Sequence, residues 1–152
     1  VLSAYNYQIT INQHVIDSAK FDRSAIVQTV MNYARAIKGV DRVFEMNKLM
    51  MQPMAALVKE RIGNGWHPKR SGDIQIIFAP GWIDGGPTGT THGLWNPYDS
   101  HIPLLWYGWG IKPGKSNQEV YMTDIAATLA ALLKIQMPSG CVGKPILPVL
   151  QQ

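Results

Sequence analysis

The chain opens on a period of two. Tyr5, Tyr7, Ile9 and Ile11 alternate with Asn6, Gln8, Thr10 and Asn12, the pattern of a strand with one buried face and one wet face, at an edge or in antiparallel pairing. From Asp22 to Lys38 the spacing lengthens to that of an amphipathic helix. Ala25 or Ile26, Val30, Tyr33 or Ala34, and Ile37 recur on one side, with Asp22 as cap and Gly39 as stop. Residues 40–45 (VDRVFE) read as a second short strand, so the first third of the chain predicts a strand, a helix and a strand in succession.

Gln52-Pro53 opens a shorter helix with Met54, Leu57, Val58 and Ile62 on one face, and Gly63-Asn64-Gly65 ends it. After a turn at Ser71-Gly72-Asp73, the run IQIIFA from Ile74 to Ala79 has the makings of a strand covered on both faces. Pro80-Gly81-Trp82 breaks that run. Ile102 to Tyr107 reads as a further buried strand, stopped by Gly108, Gly110 and Pro113-Gly114. Thr123 caps the clearest helix, Asp124 to Lys134, with Ile125, Leu129, Leu132 and Leu133 on one side and Asp124 at the positive end. Pro138, Pro145 and Pro148 keep the tail out of helix and central strand. Strands alternating with helices give an α/β class, a mixed sheet flanked by helices.

Composition narrows the class of partner. With 46% hydrophobic residues in 152, the chain can bury a real core, as one domain or a piece of a larger one. The net charge of +4 arises from 14 basic and 10 acidic residues that are scattered rather than grouped. Without a basic patch interleaved with aromatics, no nucleic acid partner is expected. No apolar run reaches the roughly 18 residues of a membrane span, so no membrane partner is expected either. Cys141 is the only cysteine, which excludes an internal disulfide and a cysteine-based zinc knuckle. The methionines at 46, 50, 51 and 54 read as flexible core filler. Val1 is not a natural start residue, so the true N-terminus is expected upstream.

The candidate chemistry gathers between Gly89 and Gly108, in GTTHGLWNPYDSHIPLLWYG. Histidines and an aspartate among glycines and prolines are the profile of a loop that holds a ligand or metal on a rigid sheet. His92 is chemically suited to zinc, although by residue type alone it reads first as a loop histidine bonded to backbone. Asp99 and His101 are two apart, so on an extended segment they share a face. Three readings of the pair stay open. They orient the loop or His92; they complete a three-ligand site with His92; or they only start a turn and a strand. Thr90 and Thr91 are placed to bond locally. His14 and His67 read as surface residues, and Asp73, Asp84 and Asp124 as turn and cap residues. No catalytic residue is nominated within the chain: there is no paired carboxylate, no G-x-S-x-G, no P-loop and no Cys–His pair, and Ser71 is a turn residue.

GTTHG, then YDSHIPLLWYGWGIKPG, then YMTDIAATLAALLKIQMPSGCVGKPI resemble the C-terminal end of the alkaline phosphatase superfamily, its bacterial PafA-type phosphomonoesterase branch in particular. The resemblance runs from Ser71 to Ile146 and more loosely back to Tyr5. It implies that residues 71–152 are the C-terminal part of a catalytic sheet carrying the GTTHG loop, and that residues 1–70 are a smaller strand-helix-strand elaboration of one partial domain. It implies that His92 is the last-in-sequence ligand of a two-zinc site and carries over no other ligand; Thr90, Asp99 and His101 are nominated as its neighbours from residue type and spacing alone. The nucleophilic Thr or Ser and the other ligands have no counterpart here. The implied parent is a periplasmic zinc enzyme acting on phosphate monoesters through a phosphoenzyme. One histidine does not hold catalytic zinc, so the chain alone is expected to be inactive.

Two other expectations stand beside this one. Within the superfamily the parent is a phosphodiesterase, nucleotide pyrophosphatase or sulfatase. In a different class, the chain is a non-catalytic α/β module that binds a partner or carbohydrate through Trp82 and Trp95, with Trp106 and Trp109 read as core. A sheet cut from a larger one exposes an edge and apolar surface, so self-association is also expected.

Overall fold

The structure is a computed structural model that describes residues 1–83, 85, 88, 93, 94 and 96–151. The chain divides into two units, Val1–Ile102 and Pro103–Gln152.

The first unit is built on a four-stranded sheet. β1 (Ser3–Tyr5) and β2 (Gln8–Thr10) form a hairpin across Asn6 and Tyr7, whose φ angles are 50° and 59°. Two consecutive left-handed residues make the turn whose twist matches that of the flanking strands. The single strand expected over 5–12 is therefore two strands and a turn, and the alternation survives only from β2 into the residue that follows it, with Ile9 and Ile11 buried. Asn12 then turns the chain: its side chain accepts from Val15 N at 3.2 Å and starts α1 (Gln13–Ala19), a helix not expected from the pattern. His14, expected in a loop, is an exposed residue of that helix.

α2 (Arg23–Arg35) begins where expected, with the Asp22 carboxylate accepting from Ser24 N at 2.9 Å. Its buried face is Val27, Met31 and Ala34; Tyr33 is 77% exposed, so at that alternative the small residue packs inward. β3 (Val40–Glu45) coincides with the expected strand. A 3-10 turn over Met46–Met51 follows, then α3 (Ala56–Asn64), which starts beyond Pro53 rather than at it. β4 (Ile74–Phe78) lies between β2 and β3 in the order β1-β2-β4-β3, and the three described pairings are antiparallel.

β4 is hydrogen-bonded along both edges, and side chains pack on both of its faces. On one side Ile9, Ile11, Ile16, Val27, Met31, Ala34, Val43 and Ile74 form a core under α2. On the other, Phe44, Met46, Leu49, Ile62 and Ile77 pack together, with Met54, Val58 and Trp66 against them. Met46 and Met54 are thus core filler, whereas Met50 and Met51 are exposed. Asp73 ties the start of β4 to its neighbours: one carboxylate oxygen accepts from Ile11 N at 2.8 Å and the other from the Arg23 guanidinium at 3.0 Å. Arg23 also faces the buried Glu45 at 3.6 Å, which pairs with Lys48 at 2.7 Å. The unit ends in a single helical turn, α4 (Pro97–Ser100). Helices over an open sheet give the expected α/β class.

The second unit centres on α5 (Asp124–Leu133), with the short α6 (Leu147–Leu150) behind it. Thr123 occupies the cap position without a side-chain cap bond, and Asp124 does the holding instead. Its carboxylate accepts from Tyr121 N at 2.9 Å and from Lys144 N at 2.8 Å. Thr128, fully buried, donates to the Asp124 carbonyl at 2.7 Å and accepts from Ile146 N at 2.9 Å. The helix therefore buries Ala127, Thr128 and Ala130 and leaves Leu129 and Leu133, expected inward, 44% and 64% exposed. Small side chains let a second backbone come close: a Cβ on Gly143 would overlap the Thr123 carbonyl.

Two further expectations fail in this unit. Residues 102–107 are not a strand: among the described residues they have no ladder partner, and Leu105 and Tyr107 are 87% and 103% exposed. An apolar run becomes a strand only where another strand takes its backbone groups. Trp109, read as core, is 95% exposed.

Candidate functional site

The site region begins where β4 ends. Ala79 N donates to Gly39 O at 2.8 Å, and Trp82 N donates to Ala79 O at 3.1 Å. Gly39 has φ +90°, and a Cβ there would overlap the Trp82 indole, so the ring lies directly on the β3 entry. Lys38 Nζ stands 5.4 Å from the ring centroid, a cation–π contact. Trp82, nominated above as a free aromatic, is engaged by its own chain.

His92, Thr90, Thr91, Asp84 and Trp95 lie outside the described residues. The chain is described again at Gly93 and Leu94. Gly93 has φ +139°, and a Cβ there would stand 3.1 Å from the Tyr7 ring. Tyr7 in turn meets Phe78 edge-on at 5.3 Å between centroids, and Leu94 is buried. The backbone following His92 is thus seated on the hairpin turn and the end of β4.

α4 supplies the polar groups. Asn96-Pro97 starts it, with Pro at the first helical position, where its missing N–H is not needed. One Asp99 oxygen, Oδ2, accepts from both Gly93 N at 3.1 Å and Leu94 N at 2.8 Å. The Tyr98 hydroxyl oxygen accepts from Gly81 N at 2.8 Å and from Asn96 Nδ2 at 3.0 Å. The Ser100 hydroxyl donates to Asn96 O at 3.1 Å. His101 closes the turn, its N–H donating to Pro97 O at 2.9 Å, and is exposed.

This geometry corrects one premise. Asp99 and His101 do not sit two apart on an extended strand, because Asn96-Pro97 winds residues 97–100 into a helical turn. The structure brings Asp99 to the amides beside His92 in the chain. His67 lies elsewhere, in a turn where its Nδ1 accepts from Lys69 N at 3.2 Å. Among the described residues, no three His, Cys, Asp or Glu side chains are grouped to hold a metal ion. Tyr98 and Asn96 were not singled out from the sequence. The Asn-Pro pair is the signal that would have placed Tyr98 and Asp99 on a turn.

No family model matches the chain. It is 44% identical over 151 residues to "Alkaline phosphatase PafA" of Elizabethkingia meningoseptica, covering 99% of this chain and 28% of that protein. It is 43% identical over 146 residues to "Alkaline phosphatase PhoV" of Synechococcus elongatus, covering 96% and 26%. A protein of Myroides odoratus named "Calcium-transporting ATPase" is 41% identical over 154 residues, covering 100% and 28%. The crystal structure of wild-type PafA superimposes with a TM-score of 0.89 at 45% identity, over 97% of this chain and 28% of that one. The chain thus spans under a third of the length of these relatives. In sequence and in fold it matches one segment of the PafA-type alkaline phosphatases, the family its motifs resemble.

Proposed function

We propose that this chain is the C-terminal portion of a periplasmic, zinc-dependent alkaline phosphatase that hydrolyses phosphate monoesters, and that it is inactive by itself. The observation that carries the reading is the 0.89 TM-score to PafA at 45% identity over 97% of the chain. The same superposition takes up only 28% of PafA. On this reading the catalytic machinery belongs to the whole protein, and the chain contributes one part of it.

His92 is that part. A neutral imidazole is a standard zinc donor, and a two-zinc site stabilises the attacking and leaving oxygens of phosphoryl transfer when loaded. The donor set available here fits one ligand of such a site rather than a whole one. Asp99 Oδ2 already accepts two backbone amides. That favours Asp99 as the residue that orients the chain next to His92, against a self-contained His92, Asp99 and His101 site. Thr90 and His101 remain neighbours of the ligand in this scheme.

Zinc retained per chain after dialysis against trace metal, with His92→Ala alongside, is the first test. The chain alone is expected to keep no zinc. One tightly held zinc that disappears in the variant would establish a local three-ligand site and overturn the fragment reading. The coding sequence upstream of Val1 should supply an Asp-His ligand pair and a Thr or Ser nucleophile, and their absence would overturn the phosphatase reading. In the full-length protein, monoester hydrolysis should exceed diester and sulfate-ester hydrolysis. The reverse order would assign the parent to the phosphodiesterase, nucleotide pyrophosphatase or sulfatase branch.

A further inference from the structure

We propose that the cavity between the β1–β2 hairpin and the loop after α3 is a binding site for a sugar that carries an ester oxyanion, a phosphate or a sulfate. The alternation at the start of the chain sends Ile9 and Ile11 into the core and leaves the other face of the hairpin polar. Ser3 and Thr10 are cross-strand partners, so their side chains stand on one face. Gln8, two residues from Thr10 on β2, shares it. The segment from Gly65 to Gly72 meets this face and leaves a cavity of about 350 Å³, with Ser3, Asn6, Thr10, Arg70 and Ser71 among its lining residues. Small-molecule sites fall in the range of about 300–1,000 Å³.

The loop wall is stapled to the rest of the unit. Gly72 N donates to Gln8 Oε1 at 2.8 Å, and the Trp66 indole N–H donates to Gly72 O at 3.1 Å. A Cβ on Gly72 would stand 2.7 Å from that of Gln8, so glycine is what lets the loop come this close. Ser71 Oγ accepts from His67 N at 2.9 Å and Ser71 N donates to His67 O at 2.8 Å, closing the turn that carries Lys69 and Arg70. A preorganised wall lowers the cost of binding. Its hydrogen-bonding capacity is unspent. Among the described residues, none pairs with the Arg70 guanidinium, the Asn6 side chain or the Ser3 and Thr10 hydroxyls. Residues 1–16 and 61–72, which supply the lining, contain no Asp or Glu, whereas Arg61, Lys69 and Arg70 are basic. The local field therefore favours an anion. A guanidinium fork matches the paired oxygens of a phosphate or sulfate. The neutral polar side chains beside it suit hydroxyl groups, and no aliphatic or aromatic side chain among the described residues lines the cavity to hold an apolar ligand.

The test is titration of the whole chain with glucose 6-phosphate, glucose 6-sulfate, glucose and inorganic phosphate, followed by amide chemical shifts and calorimetry. Glucose 6-phosphate should bind more tightly than glucose or phosphate alone and should move the amides of Thr10, Ser71 and Gly72 most. Arg70→Ala should weaken it about 10- to 150-fold, the range for bonds to a charged group. Thr10→Val keeps the branched shape and should weaken it about 2- to 10-fold while leaving inorganic phosphate unchanged. Ligand-free amide spectra that match wild type away from each substitution separate these losses from unfolding. Equal binding of glucose 6-sulfate would assign the site to ester oxyanions in general, and weaker binding would assign it to phosphate esters. The absence of a saturable shift with either ester, an Arg70→Ala chain that binds as wild type, or shifts centred on residues 93–101 would overturn the proposal. Inorganic phosphate binding as tightly as glucose 6-phosphate would remove the sugar from the site and overturn it as well.

Discussion

Thr128 offers the sharpest test of how the second unit is held. Its hydroxyl sits fully buried on the inner face of α5, donating to Asp124 O and accepting from Ile146 N. Thr128→Val keeps the branched shape and removes both bonds, with consequences that differ at the two partners. The Asp124 carbonyl still has the helical amide four residues on, so it loses only a second donor. The Ile146 amide loses its acceptor in a buried place, and an orphaned buried donor costs about 1–3 kcal/mol. No cavity term is added, because a methyl fills the hydroxyl's space.

The tail is then held to α5 mainly through Lys144 N on the Asp124 carboxylate. Opening of the tail should become more frequent by the same free energy, which is about 5- to 150-fold in amide exchange. Hydrogen exchange read at Lys144 is the assay, because its own bond is untouched by the substitution. Thr128→Ser, which keeps the hydroxyl, should exchange near the wild-type rate. Unchanged protection at Lys144 in Thr128→Val would show that the bond to Ile146 N does not fasten the tail, and would refute the argument.

Ile74 is fully buried at the start of β4, between β2 and β3, so Ile74→Ala should destabilise the first unit by about 2–5 kcal/mol, read as a shift in urea midpoint. A loss below about 1 kcal/mol would mean the site collapses around the gap and is not the packing centre described here. Leu105, Tyr107, Trp109 and Leu133 present wide apolar surface in the second unit, so the isolated chain should self-associate, with sedimentation coefficients that rise with concentration. Leu105→Glu combined with Trp109→Glu should reduce this. Monomeric behaviour of the unmodified chain at high concentration would contradict it.

What the sequence made legible divides along a physical line. Signals carried by an element's own residues were readable: Asp22 capping α2, the exact extent of β3, and the apolar run of β4, whereas α2 ends at Arg35 rather than running to the expected stop at Gly39. Signals that depend on a distant partner were not. The alternation through residues 5–12 could not reveal that Asn6 and Tyr7 turn left-handed, because the residues that reward the turn, Gln75 and Phe78, are far along the chain. At α5 the leucines made the larger apolar stripe, yet Ala127, Thr128 and Ala130 are the face that packs. Periodicity reports that a helix has an apolar side. It does not weigh that side against one where small residues admit a closely approaching backbone with its own hydrogen bonds to satisfy. The same limit applied at the candidate site. Histidine and aspartate were conspicuous by type, but one oxygen of Asp99 accepts from two backbone amides, and the Tyr98 hydroxyl accepts from a third. Only the turn begun by Asn96-Pro97 brings Tyr98 to the amide of Gly81 and Asp99 to those of Gly93 and Leu94.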